Sequence, residues 1–139
     1  MTAQRYSYKR VIAHGHPRAD YFGHVLEHVL IAERALGKPL PDGAEVHHAD
    51  GIWSNNANSN LVICQDKAYH KLLHVRARVL KAGGNPNTQR ICTTCRVVKP
   101  FEAFNRMAAN KSDGFQRRCR DCQSAYWKTY RPPSDRSAA

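Results

Sequence analysis

Histidine spacing constrains this chain more than any other feature. Val46-His47-His48-Ala49-Asp50-Gly51 sets two imidazoles side by side, Asn60-Leu61-Val62 follows, and His70 and His74 stand four residues apart. Four residues on a helix is about one turn, so His70 and His74 stack on one face. Any fold that uses this pattern must bring the 47–48 pair to that face, with Asn60 able to brace the loop between them. The expected order over residues 44–82 is strand, loop, strand, helix. Ala44 to His48 reads as a brief strand, residues 50–59 as a polar loop, and Leu61-Val62-Ile63-Cys64 as the returning strand. Asp66 caps a helix running to about Ala82, whose apolar face is Tyr69, Leu72, Leu73, Val79 and Leu80.

Imidazole nitrogens suit zinc, nickel and related first-row metals. His70 and His74 can chelate from one helical turn, and His47 can close the site from the strand. Three protein ligands leave positions for phosphate and water, whereas a structural site is closed by four. His48 is then left over. An imidazole, with an ordinary pKa near ~6.5, suits proton removal from water near neutrality. Adjacent side chains on a regular strand face opposite sides. Both histidines can serve one site only if the strand ends or bends there, and Gly51 with its polar loop supplies such a break.

These residues, with Asn55-Asn56, Asn60-Leu61 and His70-x-x-x-His74, resemble the HNH endonuclease motif and its ββα-metal fold. Upstream, Glu27-His28-Val29-Leu30-Ile31 and Leu36-Gly37-Lys38-Pro39-Leu40 resemble bacteriophage HNH proteins, so the likeness covers roughly residues 20–80. The double histidine with a helical histidine pair is similar to the colicin nuclease toxins more than to homing enzymes with Asp and Asn ligands. Ile52-Trp53 departs from the polar residues usual in that loop. The resemblance implies that His47, His70 and His74 hold one catalytic divalent metal (Mg, Mn, Ni or Zn). It makes His48 the general base and has Asn60 tie the loop so that His48 stays oriented. The implied chemistry is phosphodiester hydrolysis with metal assistance, leaving 5′-phosphate and 3′-hydroxyl ends.

Before this motif, residues 6–13 read as a strand and residues 14–17 as a turn. Tyr21 to Leu36 reads as a helix with Asp20 as its N-cap and Gly37 and Pro39 at its end. His24 and His28 are four apart but lack a third ligand at a sensible spacing, so local packing is the expectation for both. His14 and His16 read as a solvated loop and Cys64 as a buried, inert thiol.

Gly83-Gly84-Asn85-Pro86-Asn87 reads as a linker over residues 83–90, dividing an HNH domain at 1–82 from a module at 91–131. In that module Cys92-Thr-Thr-Cys95 and Cys119-Arg-Asp-Cys122 form a four-cysteine zinc signal. The interval between the pairs calls for an inserted helix or hairpin, and so small a core calls for zinc to fold. Lys99-Pro100-Phe101-Glu102-Ala103-Phe104, Asp113-Gly114-Phe115 and the second cysteine pair resemble small zinc modules attached to phage HNH proteins. Residues 132–139 read as a disordered tail. The fold class expected is α+β: a ββα-metal HNH nuclease domain followed by a small zinc-binding module with four cysteine ligands.

Charge points to a polyanionic partner. The net charge is +11. Residues 1–82 hold 11 basic and 7 acidic residues (+4), and residues 83–139 hold 11 and 4 (+7). Such a balance favours nucleic acid, expected here as double-stranded DNA. Candidate contacts are Arg76 and Arg78 on the second helix, and Arg117, Arg118 and Arg120 beside the second cysteine pair. Tyr126, Trp127, Lys128, Tyr130 and Arg131 follow them; the aromatics are read either as DNA contacts or as the module's core. No run of 18 apolar residues exists, and residues 1–10 lack the apolar stretch of a secretory signal, so the expected setting is a reducing cytoplasm. The leading reading is a DNA endonuclease or nickase of a phage or mobile element. Its rivals are a non-catalytic zinc protein that binds nucleic acid and a phage packaging or assembly factor that works with packaging proteins. His48 separates them, because a binding module has no use for a spare imidazole.

Overall fold

Three helices and four antiparallel strand pairs, all within the residues 8–130 that the computed structural model describes, make this an α+β chain. The chain divides into two units between Leu73 and His74, a point inside a continuous helix.

In the first unit, β1 (Arg10–Ile12) pairs with β2 (His24–Leu26), and α1 (Glu27–Leu36) follows β2 without a break. The helix expected from Tyr21 thus begins six residues later. Val25 and Leu26 fit a helical rhythm, but their backbone is committed to the ladder with Arg10 and Val11. Asp20 caps a turn instead of a helix: its carboxylate accepts from the backbone N–H groups of Phe22 (3.0 Å) and His24 (2.9 Å). The far end of α1 does follow the sequence signal. Gly37 takes the left-handed conformation (φ 74°) that a C-cap favours.

β3 (Glu45–His48) and β4 (Leu61–Cys64) form the second pair, with His47 opposite Val62 and His48 opposite Leu61. The polar loop between them closes in a 3-10 turn at Asn58–Asn60. α2 (Lys67–Lys81) follows, capped by Asp66, whose carboxylate accepts from the Tyr69 N–H at 2.8 Å. Val25, Val29, Ala32, Leu40, Ala44 and Val46 form the core, with Leu61 and Ile63 against it. One face of α1 is therefore fastened to the β3–β4 ribbon, which fixes the ribbon's histidines relative to Glu27 and His28.

The second unit is built from β5 (Gln89–Ile91) with β6 (Val98–Pro100), β7 (Phe104–Arg106) with β8 (Phe115–Cys119), and α3 (Arg120–Thr129). Phe104, Phe115, Cys92 and Cys119 are its core, and Phe101 stacks on Phe115 with centroids 4.9 Å apart. The insertion between the cysteine pairs is thus a hairpin with one 3-10 turn. Arg90 is buried (4 % exposed) over the Phe104 ring and paired with Asp113 at 3.1 Å. Within residues 83–90, Gly84, Pro86 and Gln89 are half-buried and Arg90 is buried. A Cβ on Gly84 would lie 2.8 Å from Val98 and 2.9 Å from Val79, so this glycine serves a close approach and not free movement. The tail read at residues 132–139, like Arg131, lies outside the described residues.

Candidate functional site

β3 and α2 bring His47, His70 and His74 together: each offers a ring nitrogen, and these atoms lie within 4.8 Å of one another. The chain reaches this arrangement simply. His47 is two residues along the strand from Glu45, so both project from one face, and His70 and His74 are one helical turn apart. Tetrahedral nitrogens ~2.1 Å from zinc sit roughly 3.4 Å apart, so small side-chain rotations would close the set on a cation. His47 is buried, His70 half-buried and His74 exposed, which leaves one side of the cluster open. His70 Nδ1 is hydrogen-bonded to Glu45 Oε2 at 2.5 Å. A carboxylate only accepts, so Nδ1 carries the proton and Nε2 keeps its lone pair for a metal. Glu45 was missed in the sequence, although its two-residue offset from His47 was a usable signal.

His48 ends β3 and turns to other partners. Its carbonyl accepts from Gly51 N–H (3.0 Å), closing the turn that breaks the strand. Its ring packs edge-on against His28 at 5.1 Å and lies tilted against Tyr8 at 6.2 Å, and Trp53 packs edge-on against Tyr8. Burial, then the charge of His48, pushes the His28 imidazole down to about 4, so His28 is neutral at physiological pH. His48 Nε2 is hydrogen-bonded to Asn56 Oδ1 at 2.9 Å, and Asn56 Nδ2 donates to Glu27 Oε2 at 2.7 Å. Glu27 also pairs with Lys9. The Lys9 ammonium, then the Asn56 amide, holds the Glu27 carboxyl below its ordinary range. Glu27, His28 and Asn56 stand in the stretches that carry the motif resemblance, but their meeting with His48 was not foreseen.

Asn60 is buried and knits the loop. Its Oδ1 accepts from Asp50 N–H (2.9 Å), and its amide donates to Asp50 Oδ1 (2.9 Å) and Asn55 O (2.8 Å). Every group it bonds belongs to the segment directly after His48, so it pins that segment from one end to the other.

Residues 25–69 match the HNH endonuclease family. The matched stretch runs from β2 into the first turn of α2 and includes His47, His48 and Asn60. No curated protein and no solved structure matches the chain.

The cysteine cluster follows the matched stretch in sequence. Cys92, Cys95, Cys119 and Cys122 present four sulfurs within 4.8 Å of one another. Burial alone would raise the Cys92 thiol. The N–H groups of Cys119, Cys95 and Thr94 directed at its sulfur outweigh burial and bring it down to about 6. The Cys119 and Thr94 bonds measure 3.3 and 3.4 Å. Lys99 adds its ammonium to Cys119 Sγ at 3.4 Å and to Asp121 at 2.8 Å. Cys119 is held low as well, chiefly by the Cys122 N–H, whereas the hydrogen bond with Cys119 pushes the Cys122 thiol up to about 12. Four soft donors at one point suit a structural zinc.

The candidate DNA-binding arginines differ. Arg78, Arg117 and Arg120 are all exposed. Arg118 lies over the Tyr126 ring at 4.3 Å. Arg76 donates to Pro86 O (3.3 Å) and Asn87 Oδ1 (2.7 Å), so part of its guanidinium braces a turn. Tyr126, Trp127 and Tyr130 stay exposed in mutual ring contact, while the phenylalanines make the core. Among the described residues no helix is long and apolar enough to cross a membrane.

Proposed function

We propose that this protein is a metal-dependent DNA endonuclease or nickase of phage or mobile-element type, acting in the cytoplasm on double-stranded DNA. Family membership of residues 25–69 supports nuclease activity at the level of the family. The observation that carries the finer reading is the division among the imidazoles: three converge on one point, and the fourth, His48, is held apart by Asn56. His47, His70 and His74 hold one divalent cation (Mg, Mn, Ni or Zn), which when bound supplies Lewis-acid stabilisation of charge on the phosphate. His48 takes a proton from water as its oxygen bonds to phosphorus in line. The P–O3′ bond breaks, and the leaving oxygen gains a proton from solvent. The products are a 5′-phosphate and a 3′-hydroxyl. Asn60 keeps the loop after His48 in one conformation, so the base does not wander from the phosphate.

In this reading residues 1–82 carry the chemistry. Residues 91–131, folded on one structural zinc, carry much of the DNA grip through Arg117, Arg118 and Arg120, with Arg78 and the remaining donors of Arg76 assisting. Packaging proteins are the protein partners that a phage setting would supply. The test is incubation of supercoiled plasmid with the protein and each divalent metal in turn. Metal-dependent nicked or linear product is expected. Intact plasmid under every metal, with the protein bound to it, would leave a binding protein in place of a nuclease.

A further inference from the structure

Two residues at the start of α1 meet His48, and only one of them does so through a directional chain. Glu27 is an ionised carboxylate beside Lys9, and an ionised carboxylate has no proton to donate. The Asn56 group facing it at 2.7 Å must therefore be the amide NH2. That choice turns Asn56 Oδ1 toward His48 Nε2, 2.9 Å away. An amide oxygen only accepts, so Nε2 must be the protonated nitrogen and Nδ1 keeps its lone pair. Without Glu27 the amide can flip, and its NH2 would then select the opposite tautomer. His28 packs on the same ring but offers contact without direction.

We infer that Glu27 is a positioning residue for His48, setting the imidazole's tautomer and ring orientation through the Asn56 amide. The inference rests on the reading of His48 as the general base, yet its physical core, the tautomer, does not depend on activity. Glu27 stands at the first position of α1, and α1 is fastened by Val29 and Ala32 to the core that also holds Val46 of β3. The carboxylate is thus tied to the strand that ends in His48, and the amide between them has little room to wander.

The experiment is long-range 15N–1H correlation on 15N-histidine-labelled, zinc-loaded protein at about pH 8, above the ordinary histidine range. Cleavage kinetics on a labelled DNA duplex are measured alongside. Wild type is expected to show His48 as the Nε2–H tautomer. Glu27→Ala should give mixed tautomers and a kcat lower by roughly tenfold or more at unchanged KM, the size typical of a lost outer hydrogen-bond partner. Glu27→Gln retains an acceptor for the Asn56 amide and should recover the tautomer and most of kcat. Lys9→Ala should leave the tautomer as it is. Because Glu27 acts through Asn56, the Glu27→Ala/Asn56→Ala double variant should lose no more than the worse single variant. If Glu27→Ala does not fold, Glu27→Ser, which suits a first helical turn but cannot reach Asn56, takes its place. A pure Nε2–H tautomer in either variant, or losses that multiply in the double variant, would overturn the inference. A tautomer shift in a protein that cleaves nothing would sustain it and defeat the nuclease reading instead.

Discussion

His47, His70 and His74 are gathered from a strand and a helix, number three, and include one exposed ring. Cys92, Cys95, Cys119 and Cys122 are gathered from two turns, number four, and include two sulfurs at residues with no exposure at all. The difference lies in what each cluster leaves over. Four thiols around zinc complete a tetrahedron, so nothing else can bind, and the cation serves the fold. Three imidazoles around a cation would leave its coordination shell unfinished on the exposed side, where our reading places the phosphate. The supporting bonds differ too. Backbone N–H groups and Lys99 stabilise negative charge on the sulfurs, whereas Glu45 directs a neutral ring. The cysteine cluster sits inside its own core with Phe104 and Phe115. The histidine cluster joins β3 to α2, with His47 buried and His74 exposed.

The comparison can be broken most forcefully at the cysteines. Cys119→Ala should remove one equivalent of zinc and collapse the second unit, because structural zinc contributes on the order of 10 kcal/mol to such modules. The NMR dispersion of Phe104 and Phe115 should vanish while that of Val25 and Val29 persists. Retained dispersion at Phe104 would make the cysteine cation dispensable. Glu45→Gln is expected to act next most strongly. It should weaken metal binding at the histidine site by roughly 10–100-fold in titration calorimetry, with the cysteine zinc unaffected. An unchanged affinity would mean that His70 needs no partner. Arg117→Ala and Arg120→Ala should each lower DNA affinity and make the slope of log affinity against log salt shallower by about one unit. An unaltered slope would remove that arginine from the DNA interface.

The smallest effect concerns pH. His28 is held near 4 when folded, against an ordinary ~6.5 when unfolded. The unfolded chain therefore binds the extra proton first, and stability present above pH ~6.5 is lost as pH falls toward 4. Carboxylates held low, such as Glu27, add their loss only below their own ordinary range. Denaturant midpoints between about pH 6.5 and 4.5 should decline less in His28→Phe than in wild type. Equal declines would show that His28 is not the proton acceptor.

Residues that act close in sequence were legible. The His70–His74 pair, the Asp66 cap, the Gly37 terminator and the β3–loop–β4–α2 order all rest on short-range spacing. Tyr21 to Leu26 was not, because three residues of strand and the first turn of a helix share the same apolar rhythm, and only pairing with β1 separates them. The bond between Glu27 and Asn56 was not legible for a related reason: it spans 29 residues, and no periodicity links a helix start to a loop. Gly84 read as a linker because glycine signals freedom in sequence, and only the neighbours Val79 and Val98 reveal a close approach.

The central claim is that three histidines hold the cation and the fourth does chemistry. It is tested most directly by measuring metal binding and plasmid cleavage together in wild type, His47→Ala and His48→Ala. His47→Ala should lose both. His48→Ala should bind metal as wild type does, yet cleave about 10²–10⁴-fold more slowly, the usual worth of a positioned base. Loss of metal in His48→Ala with retention in His47→Ala would contradict the account.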